Sequence, residues 1–217
     1  TISACGKGGQ ANRALMLLQE MRQHGLHPNV ISFSSAISAC EKGGLWERAL
    51  QLLAEIRAWG LYPNVISYSA AISACEKGSQ WKFALDLFSA MWRCGLEPDV
   101  ICYNATISAC GKGGQANRAL MLLQEMRQHG LHPNVISFSS AISACEKGGL
   151  WERALQLLAE IRAWGLYPNV ISYSAAISAC EKGSQWKFAL DLFSAMWRCG
   201  LEPDVICYNA TISACGK

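Results

Sequence analysis

The stretch VISFSSAISACEKGGLWERALQLLAEIRAWGLYPN, residues 30–64, recurs with small edits at 65–99 and 100–134. A fixed period of 35 residues marks a solenoid, in which each unit is one supersecondary element that cannot bury its apolar faces alone. Five complete units occupy 30–64, 65–99, 100–134, 135–169 and 170–204, with partial units at 1–29 and 205–217. Over this lies a longer regularity. Residues 106–217 repeat 1–112 without a change, so three different units form a 105-residue block used twice. Both recent tandem duplication and deliberate construction give that pattern.

Inside the first unit, Phe33, Ala36, Ile37 and Cys40 fall at i, i+3, i+4 and i+7, which predicts a helix over roughly 32–41. Lys42, Gly43 and Gly44 end it, with glycine where a helix C-terminus prefers it. Ala49, Leu50, Leu53 and Ile56 then predict a second helix over about 46–58, closed by Gly60, Leu61 and Pro63. No window alternates with period two, so no strands are expected. The unit is a helical hairpin. Stacked hairpins bury both faces, and a small rotation per repeat gives an all-α, right-handed α-solenoid superhelix whose concave surface is lined by the first helices. Residues 1–217 are accordingly expected to form one array. Trp46 and Trp81 open second helices and are expected to wedge between hairpins, while Trp59 and Trp92 lie near the helix ends.

Composition narrows the options. Hydrophobic residues reach 51%, yet the longest apolar runs are short and soon followed by charge. A membrane-spanning helix needs about 20 apolar residues in a row, so no span and no membrane partner are expected. Seven of the eleven cysteines (Cys5, Cys40, Cys75, Cys110, Cys145, Cys180, Cys215) keep the 35-residue period, as a row of small buried side chains does. Cys94, Cys102, Cys199 and Cys207 show neither CxxC pairing nor zinc spacing, so a reducing compartment fits. His24 and His27, repeated at His129 and His132, lack a third ligand and read as solvated turn residues rather than a metal pair. No triad, paired-carboxylate site or phosphate loop is present, so neither cofactor nor catalysis is expected. The chain opens and closes inside a helix; uncapped solenoid ends predict fraying or end-to-end self-association.

A 35-residue unit reading V-I-S-[FY]-[SN]-x-x-I-S-A-C-x-K-G, then A-L-x-L, then G-L-x-P-[ND], resembles the P-type pentatricopeptide repeat over the whole chain. The tetratricopeptide signature and ankyrin's T-P-L-H are both missing. The resemblance implies sequence-specific binding of single-stranded RNA, one base per repeat, with the chain's N-terminal side at the RNA 5′ end. It also implies a role in organelle RNA processing, stability or translation, in mitochondrion or plastid. Two positions per unit resemble the family's base-reading pair. One follows the first helix's aromatic: Ser34, Ser69, Asn104, Ser139 and Ser174. The other follows the closing proline: Asn64, Asp99, Asn134, Asn169 and Asp204. Ile31, Ile66, Ile101, Ile136, Ile171 and Ile206 resemble the side chains that sandwich each base.

Other roles compete with these. Ser, Asn and Asp near a helix start are capping residues, and capping accounts for any one of them singly. Readout is favoured because these positions switch while Val, Ile, Lys, Gly, Leu and Pro around them stay fixed; a cap has no need to switch. A short Ser leaves room for a purine, whereas Asn reaches a smaller pyrimidine. Asp only accepts, which suits the N–H donors of guanine, and Asn suits adenine or cytosine N3. The pairs in order then spell 5′-AG(C/U)AG-3′, with Asn29 and Asn209 in incomplete end units and unassigned. The isoleucines have core packing as their alternative, but each follows a valine, and two adjacent residues cannot both face the core well. The row Lys7, Lys42, Lys77, Lys112, Lys147, Lys182 and Lys217 ends the first helices, where the helix dipole favours a cation. The same row would follow a phosphate backbone, which makes Lys42, Lys77, Lys112, Lys147 and Lys182 candidate phosphate contacts. Net charge is only +3, so bulk charge does not argue for nucleic acid. The other function class this pattern allows is a scaffold holding a peptide in the same groove.

Overall fold

The computed structural model describes residues 1–216, without the side chain of Lys7; Lys217 of the lysine row lies outside the described residues. Among the described residues the fold is all-α, thirteen helices and no strand. They gather into two compact units, Thr1–Ala109 and Cys110–Lys217, the division falling near the end of one helix.

In the first unit, α1 (Ile2–Lys7) and α2 (Ala11–Gln23) make a partial hairpin. Two full hairpins follow, α3 (Val30–Lys42) with α4 (Trp46–Ala58) and α5 (Val65–Lys77) with α6 (Trp81–Arg93), and then α7 (Val100–Lys112) begins. The first helices pack side by side, α1 on α3 and α3 on α5; α2 and α4 each pack on their own partner and on the first helix of the next hairpin, and α6 packs on α5. The second unit repeats this plan with α8 (Ala116–Gln128), α9 (Val135–Lys147), α10 (Trp151–Ala163), α11 (Val170–Lys182), α12 (Trp186–Arg198) and α13 (Val205–Cys215).

The first helix starts two residues before the apolar periodicity does. Asn29 caps α3, its Oδ1 accepting the Ser32 N–H at 3.0 Å, so Val30 and Ile31 belong to the first turn. Phe33, Ala36, Ile37 and Cys40 are buried as predicted. In α4 the buried stripe is Ala49, Leu52, Leu53 and Ile56; Leu52 takes the place expected of Leu50, which is only half-buried. That set keeps i, i+3, i+4, i+7 spacing, so the correction is one of phase within the same helix. Cys40, Cys75, Cys110, Cys145 and Cys180 are fully buried, whereas Cys5 and Cys215 at the chain ends are not.

Arginines near the ends of second helices join successive hairpins. Arg22 pairs with Glu55 and lies 5.4 Å from both the Phe33 and Trp59 ring centroids. Arg127 repeats this with Glu160 at 2.6 Å, Phe138 and Trp164. Where the aromatic is tyrosine the contact becomes a hydrogen bond: Arg57 Nη2 donates to Tyr68 Oη at 2.5 Å, and Arg162 Nη2 to Tyr173 Oη at 2.9 Å. Trp46 does wedge between hairpins, its ring lying where a Cβ on Gly78 would come within 2.4 Å of Cδ1.

Candidate functional site

Each first helix carries one stripe that its neighbours leave uncovered. On α3 it runs through Ile31, Ser35, Ser38 and Lys42, residues of one face that stay wholly or partly exposed. With Ser34, Glu41, Asn64 and Ile66 they line a cleft of about 410 Å³ between successive first helices. The candidate reading pair, its two flanking isoleucines and one candidate lysine therefore converge on a single opening.

From Val30–Ile31 to Val170–Ile171 the isoleucine is the more exposed member of each Val-Ile pair, while in the last pair Val205 is 73% exposed as well. Ile31 is 69% exposed, and Ile66, Ile101, Ile136, Ile171 and Ile206 all lie at 60–63%. An unbranched stretch of polar surface would serve a helix end equally well. A branched apolar side chain held in solvent at every repeat is instead a surface on which a flat ring can stack.

The first member of each pair lies deeper. Ser34, Ser139 and Ser174 are 5–9% exposed, Asn104 is 9% exposed, and Ser69 is half-buried. Ser34 Oγ donates to the Val30 carbonyl at 2.7 Å, lies 2.7 Å from Ser67 Oγ and reaches Asn64 Oδ1 at 3.4 Å. Its hydroxyl is committed to protein partners, so it acts on a ligand chiefly by being short. Asn64 Oδ1 accepts from Ser67 N–H and from Ser67 Oγ, both at 2.9 Å, and so caps α5. The amide Nδ2 is left as the polar group on the cleft side. The second unit reproduces this geometry: Ser139 Oγ lies 3.3 Å from Asn169 Oδ1 and 2.8 Å from Ser172 Oγ. Asn169 Oδ1 in turn accepts from Ser172 N–H at 2.9 Å and Ser172 Oγ at 2.8 Å.

Aspartate caps in the same way. Asp99 Oδ1 accepts the Cys102 N–H at 2.9 Å, and Asp204 Oδ1 accepts that of Cys207 at 2.9 Å. The latter bond holds the Asp204 carboxyl below the usual carboxylate range. Asn134 makes a full capping box with Ser137, whose N–H reaches Asn134 Oδ1 at 3.1 Å while Ser137 Oγ accepts from Asn134 N–H at 3.1 Å. Capping and a second outward heteroatom coexist on one side chain, because an Asn or Asp has two heteroatoms and the backbone cap uses one.

The lysine row is less positive than its sequence implies. Lys77 Nζ pairs with Glu41 at 2.7 Å, and Lys182 pairs with Glu146. Lys42, Lys112 and Lys147 are exposed. The stripe is thus interleaved with carboxylates, although exposed pairs of this kind contribute only about 0–1 kcal/mol and give way readily to a stronger anion. His27 rests its ring edge against Trp59 at 6.0 Å. Among the described residues no group of three or more His, Cys, Asp or Glu side chains is arranged to hold a metal.

Nothing in the hydrophobic periodicity singles out Ser67 or Ser172, which join the two halves of each pair. The signal that could have found them is a second switch, serine to cysteine, at Cys102 and Cys207.

Sequence models of one family cover the chain nearly end to end. A pentatricopeptide repeat domain matches residues 2–44 and 16–77, a PPR repeat matches 66–96 and 136–166, and a PPR repeat family matches 98–147 and 168–217. The chain belongs to the pentatricopeptide repeat family. No curated protein matches it significantly. Among solved structures, this pentatricopeptide repeat chain is similar to the maize pentatricopeptide repeat protein PPR10, with 27% identity over 97% of this chain and a TM-score of 0.63. It spans 30% of that maize chain. A second PPR10 structure, in complex with an 18-nt psaJ RNA element, shares the fold at 21% identity and a TM-score of 0.61, over 98% of this chain and 36% of that one. The PPR domain of Arabidopsis thaliana protein-only RNase P 1, in complex with tRNA, does so at 15% identity and 0.68, over 79% and 90% of the respective chains.

Proposed function

We propose that this chain binds single-stranded RNA by sequence, one base per repeat, with 5′-AG(C/U)AG-3′ as its preferred core, and that it acts as an adaptor in organelle RNA processing, stability or translation. The observation that carries the reading is the cleft in which Ile31 and Ile66 flank Ser34 and Asn64 while the cap occupies Asn64 Oδ1. A base entering between the isoleucines meets the Asn64 Nδ2 amide, a donor. Adenine N1 accepts such a hydrogen bond, whereas guanine N1–H opposes it donor to donor. Asp99 and Asp204 offer carboxylate oxygen at the same place, which accepts from guanine N1–H and N2–H. Short Ser34, Ser69, Ser139 and Ser174 leave space for these purines. By residue type, the pair Asn104 and Asn134 is assigned a pyrimidine, with cytosine N3 accepting an amide proton. The PPR10–RNA and RNase P 1–tRNA complexes, in proteins of this fold, support RNA as the ligand class.

The test is fluorescence anisotropy with a labelled RNA carrying AGCAG against one carrying AACAA. Each wrong base is expected to weaken binding by about 1–3 kcal/mol if discrimination follows protein–DNA recognition. Equal affinities would sink the base assignments. Affinity should also fall steeply as salt rises, because phosphate contacts release counterions. A groove that binds peptide and shows no such slope belongs to the other function class. Unbiased selection from a random RNA pool tests ligand class and code together.

A further inference from the structure

The third residue of each first helix varies in step with the reading position. Where the cap is Asn29, Asn64, Asn134 or Asn169, the residue three places on is Ser32, Ser67, Ser137 or Ser172. Where it is Asp99 or Asp204, that residue is Cys102 or Cys207. Helix capping does not ask for this, since the backbone N–H of serine and of cysteine makes the same bond to Oδ1 at 2.9 Å. The side chains are nevertheless placed between the two readers. Ser67 Oγ is 2.7 Å from Ser34 Oγ and 2.9 Å from Asn64 Oδ1, and both Ser67 and Ser172 are fully buried. Cys102, fully buried as well, occupies the equivalent position beside Asp99.

From this we infer that the buried serine is a third specificity-determining position, which orients the asparagine that reads adenine. An asparagine amide has two ends of nearly the same shape and opposite hydrogen-bonding sense. Its reading is definite only while Oδ1 stays on the cap and Nδ2 faces the base. Ser67 N–H holds one lone pair of Oδ1, and the Ser67 hydroxyl holds the other. The hydroxyl also fixes Oδ1 relative to Ser34, which sets the room left for the base. Aspartate has no such ambiguity: either carboxylate oxygen accepts, so a donor that locks it in place adds nothing to its reading. A thiol, a weak donor, is sufficient there and leaves the carboxylate's charge to the guanine. The role belongs to positioning, since the side chain is buried and acts on the base through Asn64.

This inference rests on the base reading proposed above, and its test separates the two. Affinity is measured for AGCAG and for GGCAG, which differ at the base assigned to Ser34 and Asn64, with wild type, Ser67→Ala and Cys102→Ala. For wild type the first base should favour A. In Ser67→Ala that preference should fall roughly three- to ten-fold, the worth of one neutral hydrogen bond, with the preferences at the other bases unchanged. Cys102→Ala should keep its preference for G at the second base, read with AGCAG against AACAG. If Ser67→Ala folds poorly, Ser67→Cys, the residue that the fold already holds at position 102, weakens the donor and should show the same loss. Ser172→Ala repeats the test at the fourth base. A Ser67→Ala protein that binds every RNA more weakly by one common factor, with its A-over-G ratio intact, overturns the inference and leaves the base reading standing. A wild-type protein indifferent to the first base overturns both.

Discussion

Replacing Asn64 separates what the side chain does for the helix from what it does for a base. Asn64→Asp exchanges only the outward atom. The carboxylate can still accept Ser67 N–H, now at 2.9 Å to Oδ1, and Asp caps a helix as well as Asn does. A negative charge at the α5 N-terminus adds about 0.3–1 kcal/mol of favourable dipole interaction, so stability should hold or rise slightly. The outward group changes from donor to acceptor, and the first base should switch from A to G. Each correct base is worth about 1–3 kcal/mol over a wrong one, so the A-to-G ratio should move by at least about thirty-fold across the substitution. Asn64→Ala removes both functions. It loses the hydrogen bonds to Oδ1 and should cost about 1 kcal/mol of stability while abolishing preference at that base. Urea unfolding gives the first quantity, and anisotropy with AGCAG and GGCAG gives the second, on the same samples. If Asn64→Asp keeps the wild-type preference and Asn64→Ala loses only stability, Asn64 is a cap and nothing else.

Three further outcomes follow from packing and burial. Gly78→Ala should destabilise by about 1–3 kcal/mol, because its Cβ would stand 2.4 Å from the Trp46 ring, and a urea midpoint unchanged from wild type would contradict that contact. Ser79 holds φ at +57° where the equivalent positions are Gly44 and Gly114, so Ser79→Gly should raise stability by about 0.5–1 kcal/mol in the same assay. Burial pushes the Cys75, Cys110, Cys145 and Cys180 thiols up to about 11, and burial with the neighbouring Asp99 carboxylate pushes Cys102 to about 12. These thiols stay protonated in the folded chain while their unfolded counterparts ionise. The unfolded state then binds fewer protons, and stability should fall from about pH 9 to pH 11 by about 1.4 kcal/mol per pH unit for each such thiol. A urea midpoint that stays flat between pH 8 and pH 10 would refute this.

The helical hairpin was legible because two apolar stripes, near Phe33–Cys40 and near Ala49–Ile56, each bury one side of a helix and leave a 3.6-residue rhythm. The start of the first helix was less so. Its opening turn, Val30 to Ser32, is set by the Asn29 cap and puts Ile31 on the cleft, so it adds little to that rhythm. Leu50 and Leu52 show a similar limit: both are apolar, and only the neighbouring hairpin decides which one is enclosed. The exposed isoleucines could be picked out by exclusion, given an adjacent valine. The contacts that lie 33 to 36 residues apart could not. Glu41 with Lys77, Arg22 with Glu55 and Ser34 with Ser67 join one repeat to the next, and an alignment of repeats stacks those partners in separate columns.

Under the proposed base reading, those cross-repeat contacts would let an array of nearly identical units vary in what it recognises without changing its fold. The reading position is anchored by Oδ1, an atom that Asn and Asp share, and the serine or cysteine beneath it is anchored by a backbone N–H common to both. Helix start, hairpin angle and apolar core are therefore blind to the exchange of Asn64 chemistry for Asp99 chemistry. What differs is one outward atom and one buried donor, confined to the cleft between two first helices. In a solenoid, where stability is close to a sum over neighbouring repeats, such a change stays local. The two 105-residue blocks carry the same three settings of this pair, which is why the proposed core begins to repeat at its fourth base.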